Sequence, residues 1–426
     1  MAGRLHLRAS LVALLVANLV RLAPGQLLPA LPKADGAAGK RLDLTFVPSD
    51  AVAAIVLQPK RLVSSSLFPP QLLALAGKND EARQSYNAAL ALLPNDEHVR
   101  RARMRRKTGL SYTLQRRYDA MTQAFDDADI ELGSSGSASA DEWWSEKIQI
   151  LLERMHLLYW QGMSDEMRAL ADAHREAVEA RGTPLQRGRF FQMLGLSLLT
   201  GARYVASDEA VRLTELAVST SRQSPDMAAM SHVRFTAGLT NIFRGNLPAA
   251  VEHFRGAFGL AERVGDLVVQ ARALTYLTVA FRRLGDQEQT RIHADRTIAL
   301  ATQLGMAEYV AMAKANLAWL AWRESKAAEA RSLGEEALRL WHGMEDPYGV
   351  DWQALLPLIA IASSEERLND AAAHVKALFG ENQHPLPDSL VKTANEVIDV
   401  AGRNDSNALR SRLEELISVA EKIGYL

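Results

Sequence analysis

The chain contains no cysteine among its 426 residues. Disulfide bonds, thiol catalysis and cysteine-ligated metal sites are therefore excluded, while the redox compartment stays open. Aromatic residues make up only 6% of the chain, although hydrophobic residues as a whole reach 48%. Most of that apolar share is alanine and leucine. Such a composition is typical of helices that pack closely through small side chains.

The sequence also lacks a charge excess and a long apolar run. Its formal net charge is −1, so no overall field attracts it to nucleic acid or to an acidic membrane surface. A membrane-spanning helix needs about 20 apolar residues, whereas the apolar run at 11–20 has ten. We therefore expect neither a nucleic-acid partner nor a membrane span in the mature chain.

The motifs of common catalytic and metal sites are missing as well. The ten histidines form no H-x-x-x-H or H-E-x-x-H pair, and no G-x-S-x-G elbow is present. The nearest approach to a P-loop is Asp35–Lys40, DGAAGK. It lacks the first glycine, and Arg41 stands where serine or threonine must bind magnesium. We expect no enzyme activity, no cofactor and no metal.

The first 26 residues have the pattern of a secretory signal. Arg4 and Arg8 precede the apolar run, and a small residue follows at Ala23. An asparagine and an arginine near the end of the run are unusual in a signal, and an amphipathic or disordered leader fits the same residues. The compartment is periplasmic or extracellular if the leader is cleaved, and cytoplasmic by the family resemblance described below if it is not.

Residues 27–66 are predicted to be a linker. The stretch begins with proline, glycine and alanine, and then contains two short strand-like runs, TFV and AAIVL. Pro48 and Pro59 bound these runs, so the pattern predicts at most a short β-hairpin. The segment VPSDAVAAIVL resembles the start of planctomycete secreted proteins.

From residue 67 onward, amphipathic helices alternate with short turns, and the turns recur at a fixed spacing. Gly245, Gly285 and Ser325 follow one another at intervals of 40 residues. Each period contains a second turn, because Gly265 and Gly305 are also 40 residues apart. The same between-helix position extends outward to Gly77, Arg116, Gly162, about Ala202, and Glu366. We therefore predict an all-α fold, an α-solenoid of about eight helix pairs over 67–426.

Residues within each period resemble the tetratricopeptide repeat. Around Gly245 the signature positions are Gly238, Ala250, Phe254 and Ala257. Small residues allow the two helices of a pair to approach closely, and the aromatic residue fills the gap to the next pair. Because no pair buries its face alone, the stability of such an array comes from stacking. The period exceeds the usual repeat of about 34 residues, which predicts slightly longer helices.

Longer segments resemble one bacterial family. DEWWSEKIQILLERMHLLYWQG and EYVAMAKANLAWLAWRE are similar to the C-terminal helical region of large signal-transducing ATPases of the AAA type, and the resemblance covers 67–426. It implies an array that senses partners or effectors and regulates an ATPase. Since this sequence has no P-loop, it is interpreted either as a stand-alone array or as a remnant of a larger regulator.

Two charged motifs are candidates for binding sites. The run RRARMRRK at 100–107 has six cations, but a helix distributes them around its circumference and no aromatic residues interleave. Together with the acidic run at 126–131, it favours a solvated face with internal ion pairs over a phosphate-binding patch. Asp141 and Glu142 precede two tryptophans, and this pattern favours a helix start over an acidic pocket.

The candidate binding site lies on the first helices of the pairs, which line the concave groove of a tetratricopeptide array. By position, the groove residues are predicted to be Arg272, Arg282, Arg283, Asn316, Trp319, Trp322 and Arg323. Aromatic and arginine side chains in a groove suit an extended peptide with acidic groups. The alternative is that both indoles fill space between helices, since tryptophan is usually mostly buried.

These features predict a non-catalytic scaffold or regulatory sensor that binds a peptide or protein partner in its groove. The alternative is a sensor of a small effector, in which a ligand inside the superhelix changes its curvature. A pocket closed around Trp319 favours the effector. An open groove with paired asparagine and arginine favours the peptide.

Overall fold

The computed structural model describes residues 79–134, 141–222, 224–344, 349–381, 383–403 and 405–426. The predicted leader, linker and hairpin, and the start of the predicted array, lie outside these ranges. The chain divides into two units, 1–85 and 86–426. Of the first unit, the description covers only 79–85, which are helical.

The described residues form seventeen α-helices and one short 3₁₀ turn, with no β-strand among them. The helices of the first half are α1 (Asn79–Leu92), α2 (His98–Leu110), α3 (Tyr118–Gly133), α4 (Asp141–Trp160), α5 (Ser164–Arg181), α6 (Pro184–Gly201), α7 (Asp208–Ser221), α8 (Met227–Arg244) and α9 (Leu247–Val264). The others are α10 (Leu267–Arg283), α11 (Gln287–Leu304), α12 (Ala307–Arg323), α13 (Ala327–His342), α14 (Trp352–Ser364), α15 (Leu368–Ala377), α16 (Asp388–Ala401) and α17 (Ser406–Lys422).

The predicted turns coincide with left-handed backbone. Positive φ angles occur at Arg116, Gly162, Arg203, Gly245, Gly285, Ser325 and Glu366. A left-handed residue after the last turn of a helix lets the chain reverse into the next helix. The prediction of an all-α solenoid is therefore confirmed. Gly77 lies outside the described residues, and the repeat series missed the last pair, α16 and α17, whose turn residue Gly402 has a φ of −74°.

The helices from α2 to α17 form eight pairs arranged in two layers. Within each pair the two helices pack on each other, and the first helices of successive pairs, α4, α6, α8, α10, α12 and α14, also contact one another in order. Among the second helices of the described pairs, only α15 and α17 make a comparable contact, and α17 also packs on α14. Up to α14 the first helices are therefore the inner layer, toward which the array curves, and in the last pair α17 adjoins that layer.

Small residues allow the helices of a pair to approach closely, as the sequence predicts, but the aromatic rings pack on the glycine of their own pair and not only toward the next pair. A Cβ atom added to Gly238 would lie 2.5 Å from Cε1 of Phe254, and one added to Gly109 would lie 2.6 Å from Cε1 of Phe125. Both rings are completely buried. The ring occupies the space that a side chain would otherwise fill, so the glycine is required for the close approach.

The basic run RRARMRRK is neutralised inside the array. Its cations donate to acidic side chains of the next two helices, α3 and α4. Arg101 and Arg105 bond Glu131 of α3, and Arg103 and Arg106 bond Glu146 of α4. The predicted ion pairs are confirmed, but the predicted solvated face is not, because Arg106 and Glu146 are buried and 2.6 Å apart. The buried acid lies on α4, far from the run in sequence.

The acidic pair before the two tryptophans begins a helix, as predicted. Helix α4 starts at Asp141 with both acids in its first turn. Glu142 forms an ion pair with Arg103 at 3.2 Å, and the indole N–H of Trp143 donates to the carbonyl of Leu132. These contacts fix α4 against α2 and α3.

No helix in the described ranges is long and apolar enough to cross a bilayer. Likewise, the side chains placed by the structure include no group of three or more histidine and carboxylate residues arranged to hold a metal ion.

We expect Gly238→Val to destabilise the array by about 1–3 kcal/mol, because the new side chain overlaps the Phe254 ring. Gly259→Val is the matched control, since a Cβ there meets nothing within 4 Å. Urea unfolding followed by circular dichroism measures both. Equal midpoints for the two variants would contradict the close-packing role of Gly238.

Candidate functional site

The interior of the superhelix is closed by the loop between α15 and α16. The guanidinium of Arg203, which follows α6, donates to the carbonyls of Glu381 and Gln383. Gln383 lies 180 residues further along the chain. The ring of Tyr204 stacks on His384 with 4.2 Å between ring centroids. Arg203 and Tyr204 both have positive φ, a strained conformation for residues other than glycine. The left-handed backbone at these two residues directs the ring of Tyr204 toward the loop.

Two cavities adjoin the C-terminal end of α10. The first, the interior cavity, has a volume of about 370 Å³, and its walls include Tyr204, Phe243, Tyr276, Trp352, His384 and Tyr425. The second, the groove pocket, has a volume of about 410 Å³, and its walls include Arg282, Trp319, Arg323, Glu421, Gly424 and Leu426. Arg283 lines both. The segment Ile423–Leu426 contributes to the walls of both and lies between them.

Arg282, of α10, is buried between the two cavities, where it donates to a carbonyl of α14 that has no donor within α14. Pro357 lies inside α14 and has no N–H, so the carbonyl of Gln353, four residues earlier, lacks its helical partner. Arg282 donates to that carbonyl at 2.8 Å and to the carbonyl of Tyr425 at 2.8 Å. Its guanidinium carbon lies 5.2 Å from the ring centre of Trp352.

The positive charge at this boundary has no acidic counterpart in the part of the chain that the structure describes. Arg283 donates to the carbonyl of Ile242, and neither Arg282 nor Arg283 forms an ion pair with a described carboxylate. Asp388 lines the interior cavity but pairs with neither. Burial, and then the neighbouring Arg283 cation, lower the pKa of Arg282 to about 9, so it is still charged at neutral pH. Two adjacent guanidinium groups held by neutral carbonyls attract an anion.

Four of the seven predicted groove residues come together. Arg282, Arg283, Trp319 and Arg323 all line the groove pocket. Trp319 is only 3% exposed, so most of its indole is core, as the packing alternative predicts, and its indole N–H has no hydrogen-bond partner among the described residues. Arg323 is exposed and pairs with Glu421 at 3.4 Å.

The other three lie elsewhere. Asn316 is fully buried and donates to the side chain of Gln353 and to the carbonyl of Met312, so it lines neither cavity. Trp322 is half-buried against the packing of α12 and α13. The guanidinium of Arg272 lies 4.2 Å from the ring centre of Phe235, near the start of α10 and away from both cavities.

No family model and no curated protein matches this sequence. Solved structures do resemble it. The apo form of RapI aligns at a TM-score of 0.53 with 10% identity, over 75% of this chain and 86% of that one. The apo form of the quorum sensor NprR from B. thuringiensis gives 0.52 with 12% identity, over 86% and 99%.

A third structure is a STAND protein, a signal-transducing ATPase with numerous domains, which carries a tetratricopeptide repeat sensor and comes from Pyrococcus horikoshii. It gives a TM-score of 0.50 with 12% identity, over 76% of this chain and 54% of that one. The chain has a tetratricopeptide-type fold. It spans about half the length of the STAND protein. The resemblance drawn from the sequence segments is thus confirmed at the level of the fold.

Sequence reasoning missed most of the interior cavity. Tyr204, Phe243, Trp352, His384 and Tyr425 come from five separate segments, and none belongs to a local motif. One signal was available. A proline inside an apolar helix leaves an unpaired carbonyl, which a buried helix must satisfy from another element.

We expect Arg282→Met to destabilise the chain by about 1–3 kcal/mol, because the carbonyls of Gln353 and Tyr425 lose their donor. In a Pro357→Ala background the backbone N–H of residue 357 serves Gln353 instead, and the loss should be smaller. Urea unfolding of the four chains of this double-mutant cycle measures the coupling. Purely additive effects would contradict the link between the proline and the arginine.

We expect His384 to reduce stability in mild acid. Burial, and then Arg203, lower the pKa of His384 from 6.5 to about 4, so the unfolded chain binds a proton between these values that the folded chain does not. Stability should fall as the pH drops from 6.5 to about 4, by no more than about 3 kcal/mol from this group. His384→Phe keeps a ring on Tyr204 without the titration. Urea unfolding at about pH 7 and about pH 4.5 should show a smaller loss in the variant; an equal loss would rule His384 out.

Proposed function

We propose that the chain is a non-catalytic regulatory sensor that binds an extended peptide segment of a partner inside the superhelix. The observation that carries the proposal is the pair of guanidinium groups of Arg282 and Arg283, which have only neutral carbonyl partners among the described residues. A buried cation without a carboxylate is costly. A partner carboxylate would offset that cost with charge-assisted hydrogen bonds.

The shape of the site supports an extended ligand. Arg283 lines both cavities, so a ligand bound to it has room on either side. Arg323 is exposed at the groove pocket, and Trp319 presents only an edge there. Asn316 supports the site from beneath through Gln353 and is not proposed to touch the partner.

The fold neighbours support the sensor role. One is a quorum sensor and another contains a tetratricopeptide repeat sensor, and both resemble this chain in fold at low sequence identity. We carry over from them only the class of function, a repeat array that reports the presence of a bound partner.

A small effector is the second candidate, and the interior cavity favours it. Its volume of about 370 Å³ lies in the range of small-molecule sites, which is roughly 300–1,000 Å³. Six of its seventeen lining residues carry an aromatic ring, and Arg283 is the one arginine or lysine among them. Native mass spectrometry of the purified full chain separates the two candidates, because a retained small molecule that is lost in Trp352→Ala would identify an effector.

We expect Arg283→Gln combined with Arg323→Gln to weaken partner binding by at least about tenfold, because two of the four cations that line the groove pocket, Arg282, Arg283, Arg323 and Lys422, are removed. The partner is first captured on the wild-type chain and identified, and its affinity is then measured by calorimetry at two salt concentrations. Arg339→Gln, on the outer helix α13, is the control. An affinity that falls equally in the control, or not at all, would refute the site.

A further inference from the structure

The segment Ile423–Leu426 enters the site by way of a glycine turn. Helix α17 ends at Lys422, and Gly424 has a φ of +73°. The N–H of Tyr425 then donates to the carbonyl of Ala420, which reverses the chain. A Cβ on Gly424 would lie 2.7 Å from the carbonyl oxygen of Arg283. Only glycine allows the segment to approach α10 so closely.

Once inside, the segment makes the contacts that a bound peptide would make. The carbonyl of Tyr425 accepts from Arg282 at 2.8 Å. Its ring centre lies 4.5 Å from that of Trp352, and the Arg283 guanidinium lies 5.0 Å from it on another side. Leu426 is 6% exposed and packs in the core around α14 and α17. Tyr425 lines the interior cavity and Leu426 lines the groove pocket.

The segment leaves the charge at the site unmatched. It offers Arg282 a neutral carbonyl and offers Arg283 only the face of an aromatic ring. A carboxylate adds a full negative charge and can accept two parallel N–H bonds from one guanidinium, and a neutral carbonyl does neither. A ligand that keeps the aromatic ring but places a carboxylate where the Tyr425 carbonyl lies would therefore bind better than the segment itself.

We propose that Ile423–Leu426 is a built-in occupant of the peptide site, displaced by a partner peptide that carries an aromatic side chain beside a carboxylate. The ring of the partner takes the place of the Tyr425 ring on Trp352, and its carboxylate bonds Arg282 and Arg283. Removal of the segment joins the two cavities that it now separates. This inference rests on the proposed function and specifies both the ligand class and its competitor.

The experiment uses a fluorescein-labelled synthetic peptide, Glu-Lys-Ile-Gly-Tyr, with a free terminal carboxylate. A second probe has the same sequence with a terminal amide. Fluorescence anisotropy measures the affinity of each probe for the full chain and for Tyr425→Ala. We expect the acid probe to bind Tyr425→Ala at least about tenfold more tightly than the wild-type chain, and at least about tenfold more tightly than the amide probe does.

Tyr425→Phe is the matched control, because it keeps the ring and the carbonyl, and it should bind the acid probe as weakly as the wild-type chain. If Tyr425→Ala loses its helical circular dichroism, Gly424→Ala replaces it, since the added Cβ expels the segment by its clash with Arg283. If the acid probe binds the wild-type chain and the opened variant (Tyr425→Ala or Gly424→Ala) equally well, the segment does not occupy the peptide site. If the acid and amide probes bind the opened variant equally well, the site does not recognise a carboxylate.

Failure of this inference can be told apart from failure of the proposed function. If neither probe binds the opened chain while the Arg283 and Arg323 double variant still loses the captured partner, the competitor and the ligand class are wrong and the groove site stands. If the probes bind as expected but the double variant keeps its partner, the partner binds elsewhere.

Discussion

The hydrogen bond from Arg282 to the carbonyl of Gln353 determines the arrangement of the interior. It exists because Pro357 removes the donor that α14 would otherwise supply to that carbonyl. The bond joins α10 to α14, which belong to pairs two steps apart in the array, and the second donor of Arg282 adds the segment after α17. Three elements meet at one side chain only if the inner helices curve tightly.

Because the donor to the Gln353 carbonyl is an arginine, a positive charge is buried in the interior of the array. Burying an ion costs several kcal/mol even after the surroundings relax. Elsewhere in the described part of the chain, the buried Arg106 has Glu146 as a carboxylate partner at 2.6 Å. Arg282 and Arg283 have backbone carbonyls instead in the described part of the chain. Arg106 therefore has its charge matched within the chain, whereas Arg282 joins helices through neutral groups and keeps a charge that no described carboxylate matches.

The sequence predicted what is local and periodic. The positions of left-handed turns follow from the spacing of Gly245, Gly285 and Ser325, and the close contact of Gly238 with Phe254 follows from the repeat signature. Both depend on residues that lie within about one repeat of each other. The depth of the basic run was not predictable in this way, because Glu146 belongs to no repeat signature and its burial with Arg106 depends on how α2 packs on α4.

The site itself was only half predictable for the same reason. Position on an inner helix placed Trp319 and Arg323 at the groove, but the orientation of a side chain there depends on what the neighbouring pair contributes. Asn316 turned out to face Gln353, 37 residues away, and so became part of the core. The partners that decide the interior, Tyr204 and His384, are brought together only by the curvature of the whole array.

The same curvature explains how binding could be reported. Arg282 donates to two carbonyls, one inside helix α14 and one in the segment that follows α17. The Gln353 carbonyl lacks a helical donor because of the proline, so in our proposal it keeps its bond to Arg282 when the partner binds. The Tyr425 carbonyl belongs to the segment after the glycine turn, and in our proposal the carboxylate of the partner takes its place. A ligand that exchanges with this second bond changes the position of the segment while the closed interior is preserved, which is the behaviour required of a sensor whose scaffold must survive the signal.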